Sequence, residues 1–286
     1  MVVAGIVEYD SSGELYSLPP EHAACLTREA TPDNIAAFAQ YIPLLGSVED
    51  KIVDCFKNGG GVPYSEFGRF HEVMVEDSGQ TVVGGLEDHI LPIVPGLREK
   101  LEKGVDVLDV GCGAGRALIL MAGLFPNSRF LGVDFSEEAI EMARAHADEK
   151  GATNATFGVK DAAELGYTDA YDLVTTFDAI HDQAKPDVVL KEIRKAVRPD
   201  GVYLMQDIAG SSKLENNKDH PMGGFLYTVS TMHCMTVSLA QGGMGLGTMW
   251  GKERAQEMLA EAGFSDVEVH DLSHDPQNSY YVSRKS

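Results

Sequence analysis

A chain of 286 residues, 44% of them hydrophobic, is long enough for one full α/β domain with its own core and a smaller appended region. Its net charge of −21 repels a phosphate backbone and argues against nucleic-acid partners. No apolar run approaches the roughly 20 residues that span a bilayer, the opening MVVAGIVEYD lacks the basic start of a secretory signal, and Cys25, Cys55, Cys112 and Cys234 form no metal-type pair, so a cytoplasmic chain with reduced thiols and no metal is expected.

In chain order, residues 2–18 are expected to form a β-hairpin, with GIVEY and ELYSL flanking Asp10-Ser11-Ser12-Gly13 and Pro19-Pro20 stopping the second strand. Residues 31–91 carry helical spacing. Thr31 is the expected N-cap of a first helix, with Pro32 at its first position and Ile35, Phe38, Ala39 and Ile42 on one face. Ser47 is expected to open a second helix with Ile52, Val53 and Phe56 inward, stopped at Asn58-Gly59-Gly60-Gly61. Ser65 is the expected cap of a third, carrying Phe67, Phe70, His71 and Met74. A fourth should run to about Leu91 before Pro92.

From Val105 strands alternate with helices. VDVLDV, SRFLGVD, ATFGV, YDLVTTF and VYLMQDI are the expected strands, with Ser136 capping a helix to Lys150 and another helix over about 186–197. Residues 210–250, rich in Gly and Met, break the alternation. It resumes with a helix from Glu253 to Ala262 and a final antiparallel pair, SDVEVHDL and SYYVSR. The expected division is a hairpin region over 1–30, a helical cap over 31–98 and an α/β domain over 99–286 with a lid-like insertion at 210–250.

The chemistry starts at Asp109-Val110-Gly111-Cys112-Gly113-Ala114-Gly115, which ends a strand and opens a helix. Glycines at 111, 113 and 115 allow a tight turn and a close ligand approach. The spacing is G-x-G-x-G, and Arg116 stands where the third glycine of a dinucleotide fingerprint would fall. Asp109 beside the loop suits a cationic ligand better than a pyrophosphate. Asp134, 23 residues beyond Gly111, ends the next strand where a carboxylate can take two ribose hydroxyls. An ordinary tight turn with two incidental carboxylates is the alternative, and it requires several coincidences in register.

VLDVGCGAGRAL resembles motif I of class I S-adenosylmethionine-dependent methyltransferases. FLGVDFS is similar to the family's acidic second-strand motif, VKDAAEL to its third-strand motif and VRPDG to the turn before its fifth strand, so the resemblance covers about 105–286. It implies a Rossmann-like α/β fold with a seven-stranded, mostly parallel sheet and an antiparallel last strand, here preceded by the N-terminal hairpin and helical cap. It also implies S-adenosyl-L-methionine as cofactor and S-adenosyl-L-homocysteine as product. Carried over by position, Asp109, Gly111, Cys112 and Gly113 hold the methionine part, Asp134 and Phe135 the ribose and adenine, Asp161 and Ala162 the adenine edge, and Phe177 the methionine-side wall. GIVEYDSSGELYSLPPEHA resembles the wing and exit of a winged-helix domain found in a subgroup of these enzymes. The helices that precede the wing in that subgroup, including the recognition helix, have no counterpart in the sequence ahead of this stretch, and a DNA-reading role is not expected. The hairpin is therefore expected to serve dimer contacts rather than DNA reading.

Methyl transfer needs an acceptor held in line and, for a hydroxyl, a base. The candidate base is His181, just past the fourth strand, with Asp182 beside it or Asp207 after the fifth strand to orient its ring. A role for His181 as a helix cap or pocket wall stays open. Tyr64, Phe67, Phe70, His71, Tyr227, His233 and Trp250, with Met222, Met235 and Met244, are expected to roof an acceptor pocket; each taken alone also reads as core, and Cys234 as an inert buried thiol. The reading is an enzyme methylating O or S of a small molecule, with a homodimer expected. A protein that senses S-adenosylmethionine without turnover is the alternative. A protein or RNA methyltransferase is a third, with RNA disfavoured by the charge.

Overall fold

The computed structural model describes residues 1–30 and 33–285; the expected helix start at Thr31 and Pro32 lies outside the described residues. The hairpin is present but shorter than the sequence suggests. Strands β1 (Glu8–Asp10) and β2 (Leu15–Ser17) pair Tyr9 with Tyr16, and both strands are exposed throughout. Helix α1 (Pro20–Leu26) starts on Pro20, a residue pre-set for a first helical turn, and buries none of its side chains.

The cap helices form, but two of their faces differ from expectation. The first turn, Ile35–Gln40, is 3-10 and leads into α2 (Tyr41–Gly46). The buried stripe is Ala37, Tyr41, Leu44, Leu45 and Val48 at true helical spacing, while Ile42 is 76% exposed and Ile35 and Ala39 also face outward. The amphipathic Tyr41, not an isoleucine, sets the phase. Helix α3 (Glu49–Asn58) buries Ile52 but leaves Val53 and Phe56 exposed, Phe56 at 77%. Gly59 ends it at φ +76°, as the glycine run implied.

Ser65 caps no helix. It sits in a 3-10 turn, and α4 (Phe70–Thr81) begins later without a side-chain cap. The expected fourth helix is a chain of single turns over Val83–Gly85, Leu86–Ile90 and Leu91–Ile93, broken up by its glycines and Pro92. Helix α5 (Leu97–Lys103) then delivers the chain to the sheet.

Strands β3 (Asp106–Val110), β4 (Arg129–Asp134), β5 (Ala155–Val159), β6 (Tyr171–Phe177) and β7 (Val197–Ile208) are parallel. Strand β8 (Asp266–Leu272) and the antiparallel β9 (Asp275–Arg284) close the order β5-β4-β3-β6-β7-β9-β8. The parallel connections run through α6 (Arg116–Leu124), α7 (Glu137–Lys150) and α8 (Pro186–Ala196). Ser136 caps α7 as expected, its Oγ accepting from the Ala139 N–H at 3.2 Å. The Arg198–Gly201 turn lies in an irregular stretch at the start of β7. Helices α9 (Gly223–Val229), α10 (Met235–Ala240) and α11 (Gly251–Ala262) follow the sheet's fifth parallel strand, α11 starting two residues before Glu253.

Side chains alternate across the sheet. Val107, Leu173, Leu204 and Val282 pack on one face with Leu86, Ile90, Leu118 and Met121. Leu108, Val174, Tyr203 and Tyr281 pack on the other with Leu190, Ile193, Trp250 and Leu259. Both faces are covered, which is why the central strands read as continuous apolar runs. A third core joins Tyr41, Leu45, Ile52 and Phe67 of the cap to Val229, Cys234 and Val237 of the 210–250 segment. Cap and insertion thus pack on each other above the carboxyl ends of the strands. Among the described residues no helix is long and apolar enough to cross a membrane.

Candidate active site

The three loop glycines are there for different physical reasons. Gly111 turns at φ +74°, and a Cβ on it would fall 2.6 Å from Ala179 Cβ. Gly115 turns at φ +72°, where a Cβ would press on the Phe157 ring at 2.6 Å. Gly113, at φ +51°, faces open space with nothing within 4 Å of such a Cβ. The first and third glycines are demanded by packing and the second leaves room for a ligand. The Gly111 and Cys112 N–H groups donate to the Val133 carbonyl at 2.8 and 3.1 Å, which ties the loop to β4.

Asp134 at the end of β4 accepts from the Gly113 N–H at 3.0 Å and from the Ser136 N–H at 2.9 Å, so loop and carboxylate are locked together. Burial raises its pKa against those two hydrogen bonds. Asp109 pairs in register with Thr175 of β6 and accepts its hydroxyl at 2.7 Å. Burial pushes the Asp109 carboxyl up to about 7, opposed by that bond and helped by Asp134. Burial likewise holds the Cys112 thiol well above its ordinary value.

One cavity runs over the loop and under the cap. Asp109, Gly111, Cys112, Gly113, Asp134, Phe135 and Phe177 line it with Tyr64, Phe70, His71, His181, Asp182 and His233. A second cavity shares Gly111, Asp134 and Phe135 with the first and continues to Asp161 and Ala162. The nine expected cofactor residues therefore lie along one continuous crevice. The donor set fits the sulfonium nucleoside: the buried Asp109 and the half-buried Asp134 flank the loop, a clear space opens above Gly113, and an aromatic face stands at Phe135.

The acceptor end centres on His181, which is 2% exposed. Its Nδ1 lies 2.9 Å from Asp207 Oδ1 and 3.6 Å from Asp178 Oδ1. Of the two carboxylates proposed to orient the ring, the structure puts Asp207 in place; Asp182 is on the cavity wall instead, pushed up to about 6 by burial. Trp250 Nε1 donates to the same Asp207 oxygen at 2.9 Å and fixes that carboxylate in turn. Burial alone would lower the His181 pKa, but Asp207, Cys234 and Asp178 outweigh it and hold it well above the ordinary histidine value. His71 Nε2 lies 3.2 Å from Ser136 Oγ, and His233 stacks on Phe70 with ring centroids 3.9 Å apart.

Three expected pocket residues lie elsewhere. Phe67 is buried behind His233, edge-on at 4.6 Å. The Tyr227 hydroxyl accepts from Asn217 Nδ2 at 3.0 Å and its ring lines an outer groove. Trp250 is buried in the sheet-side core beneath Asp207. Of the methionines, Met222 packs with Leu226 and Met249, Met235 lies in α10 and Met244 is exposed, all away from this cavity. Conversely, Tyr41, Asp77, Asp178 and Phe225 line it unannounced. Asp178 directly follows the strand YDLVTTF and carries a left-handed φ of +55°, a strain often found at functional positions.

Comparison with known proteins bears on family and fold. Residues 101–263 match a family model described as a methyltransferase domain, and residues 1–28 one described as an Rv2258c-like winged HTH domain. The ubiquinone biosynthesis O-methyltransferase of Acinetobacter baylyi is 32% identical over 112 residues, 38% of this chain and 46% of that protein. The O-methyltransferase cnsE of Penicillium expansum is 24% identical over 179 residues, 62% of this chain and 58% of that protein. The chain spans about half the length of these curated relatives. Human N-acetylserotonin methyltransferase in complex with S-adenosylmethionine superposes with a TM-score of 0.70 at 17% identity, covering 100% of this chain and 80% of that one. The mitomycin 7-O-methyltransferase MmcR gives 0.68 at 16% identity, covering 99% and 80%. At these identities the structures speak to the fold, while the family model, matching more than half of the sequence, speaks to membership. The chain belongs to the methyltransferase domain family, with the fold of the class I S-adenosylmethionine-dependent enzymes.

Proposed function

We propose that this protein methylates a hydroxyl of a small molecule, with His181 as general base. The observation that carries this reading is the buried His181–Asp207 pair opening on the same cavity as the glycine loop. Asp207 accepts the Nδ1–H hydrogen bond and fixes the tautomer in which the other ring nitrogen is the basic site once the ring has given up its second proton. S-Adenosylmethionine would be held by Asp109, Gly111, Gly113, Asp134, Phe135, Asp161, Ala162 and Phe177 and would supply an electrophilic methyl group on a sulfonium centre. The protein's own work is then to orient the acceptor, exclude water and remove one proton. His181 accepts the hydroxyl proton, and Asp207 with Asp178 stabilises the imidazolium that forms. The wall of Tyr64, Phe70, His71 and His233 closes the site from above, and we assign 31–98 and 210–250 to the cap over a 99–286 catalytic domain. A cytoplasmic homodimer, joined through the 1–30 region rather than bound to DNA, completes the proposal.

A sensor without turnover has no use for a buried base and its orienting carboxylate, so this pair favours catalysis. The test is S-adenosylhomocysteine release from S-adenosylmethionine with a panel of phenols, alcohols and thiols. Turnover on a hydroxyl, lost in His181→Gln with cofactor affinity kept, supports the reading. Tight cofactor binding with no turnover on any of the panel points to sensing, and a preference for thiols to S-methylation.

A further inference from the structure

Three polar atoms of residues in the wall of the acceptor cavity are sealed from solvent and make no hydrogen bond: Asp77 Oδ1, His233 Nε2 and Asp178 Oδ1, the last with only the longer 3.6 Å ion-pair contact to His181 Nδ1. Asp77 Oδ2 accepts the Tyr41 hydroxyl at 2.5 Å, so the Asp77 side chain is held in position with its second oxygen unspent. His233 is 1% exposed; its Nδ1 meets the Cys234 thiol at 3.5 Å and its ring is clamped against Phe70. Buried polar atoms normally find a partner, and a ligand group that enters the cavity these three residues line would supply one.

The sign of the ligand follows from the charges. The neighbouring charge acting on Asp77 is another carboxylate, Asp275, and Asp178 feels Asp77, Asp182 and Asp207 against the single His181. Burial pushes Asp77 up to about 6 with no cation acting on it, and Asp178 to about 7 in spite of His181, a condition that an incoming cation would relieve. The net charge of −21 also enriches cations at the surface before they enter. The remaining wall is aromatic and aliphatic, with Tyr64, Phe70, Met74 and Phe225.

We propose that the methyl acceptor is a hydroxy compound with an apolar body and a basic nitrogen, and that Asp77, set by Tyr41, receives the ammonium while the hydroxyl goes to His181. This rests on the methyltransferase reading and adds the substrate class. Asp178, between His181 and Asp77 in the chain of interacting charges, adds a second acceptor for the ammonium.

The experiment uses the full chain loaded with S-adenosylhomocysteine and matched phenols that differ in the basic nitrogen: tyramine against 4-ethylphenol, and dopamine against 4-ethylcatechol. Calorimetry should show each amine binding at least about tenfold tighter than its neutral twin, the scale of one charge-assisted contact. Asp77→Asn should erase that preference with S-adenosylhomocysteine affinity unchanged. Tyr41→Phe, which keeps the carboxylate, should retain it, whereas a purely structural role for the pair would make both variants behave alike. Equal binding of the neutral twins, no binding of any amine to the loaded protein, or an Asp77→Asn effect on the cofactor product instead would overturn the inference and leave the methyltransferase reading standing. Failure of the wild-type protein to bind S-adenosylhomocysteine would remove both.

Discussion

His181 Nδ1 and Asp207 Oδ1 lie 2.9 Å apart in a site that admits almost no water, His181 at 2% and Asp207 at 0% exposure. The second Asp207 oxygen has no partner, so the carboxylate is committed to the imidazole, the Trp250 indole and its neighbouring backbone N–H. Asp207→Asn should keep the shape and lose the charge that makes the ring basic. Turnover should fall by about 10²- to 10⁴-fold, the usual worth of a general base, with cofactor affinity within about twofold of wild type. Steady-state kinetics beside calorimetry check this; unchanged turnover would mean that His181 acts alone or not as a base.

Acidification should stabilise the empty protein. Asp109 and Asp178 are pushed up to about 7, and Asp77 and Asp182 to about 6, from a usual 3.8. Between these values the folded state binds more protons than the unfolded chain, so stability falls as pH rises through the window. His181 has the same sign: its contribution is full below the unfolded value of 6.5 and is lost as pH rises through its higher folded value. His233, lowered to about 3 by burial, and His274, also lowered by burial, work oppositely below about pH 6.5 and reduce the gain without matching four carboxyls and His181, while Glu253, held down at about 2, matters only below about pH 4.5. Differential scanning calorimetry should give a higher Tm near about pH 5.5 than near about pH 7.5; a Tm that climbs with pH would contradict the burial of these carboxyls.

Two glycine variants should separate folding from binding. Gly115→Ala drives a methyl into Phe157 at a left-handed φ, and should cost about 2–4 kcal/mol of stability. Gly113→Ala meets open space, so it should cost about 1–2 kcal/mol from backbone strain alone yet weaken S-adenosylhomocysteine by filling the crevice. Denaturant melts and calorimetry on both variants read the two effects. Equal loss of binding with no difference in stability would remove the distinction.

The N-terminal hairpin should be dispensable for folding. Strands β1 and β2 are exposed and α1 buries nothing. Deleting residues 1–26 should shift Tm by less than about 4 °C and leave cofactor affinity intact. Deleting 1–95 should instead unfold the protein, because Leu86, Ile90, Leu91 and Val94 belong to the core under the sheet. Thermal melts of the two truncations decide it.

The α/β half was legible because its signals are local. A capping serine at 136, acids at the ends of β3 and β4, and glycines whose φ values no other residue readily takes all declare themselves within a few residues. The cap was less legible. A 3-10 turn at Ile35–Gln40 shifts the helical phase, so an i, i+4 count starting from Ile35 points at solvent. The choice between Asp182 and Asp207 was a tertiary question, since Asp207 reaches His181 from a neighbouring strand, 26 residues away. Trp250 and Tyr227 carry the aromatic character of a pocket wall but spend their polar atoms on Asp207 and Asn217. Asp77 gave no sign in the sequence, because one carboxylate on an acidic helix differs from its neighbours only in what faces it.

A crystal structure of the protein with S-adenosylhomocysteine tests the central claim most directly. The account places the homocysteine over Gly111 and Gly113, the ribose hydroxyls on Asp134 and the adenine between Phe135 and Ala162, with the vacant methyl position facing His181. Density for the nucleoside elsewhere, an empty crevice at saturating ligand, or a dinucleotide lying across the loop would contradict it.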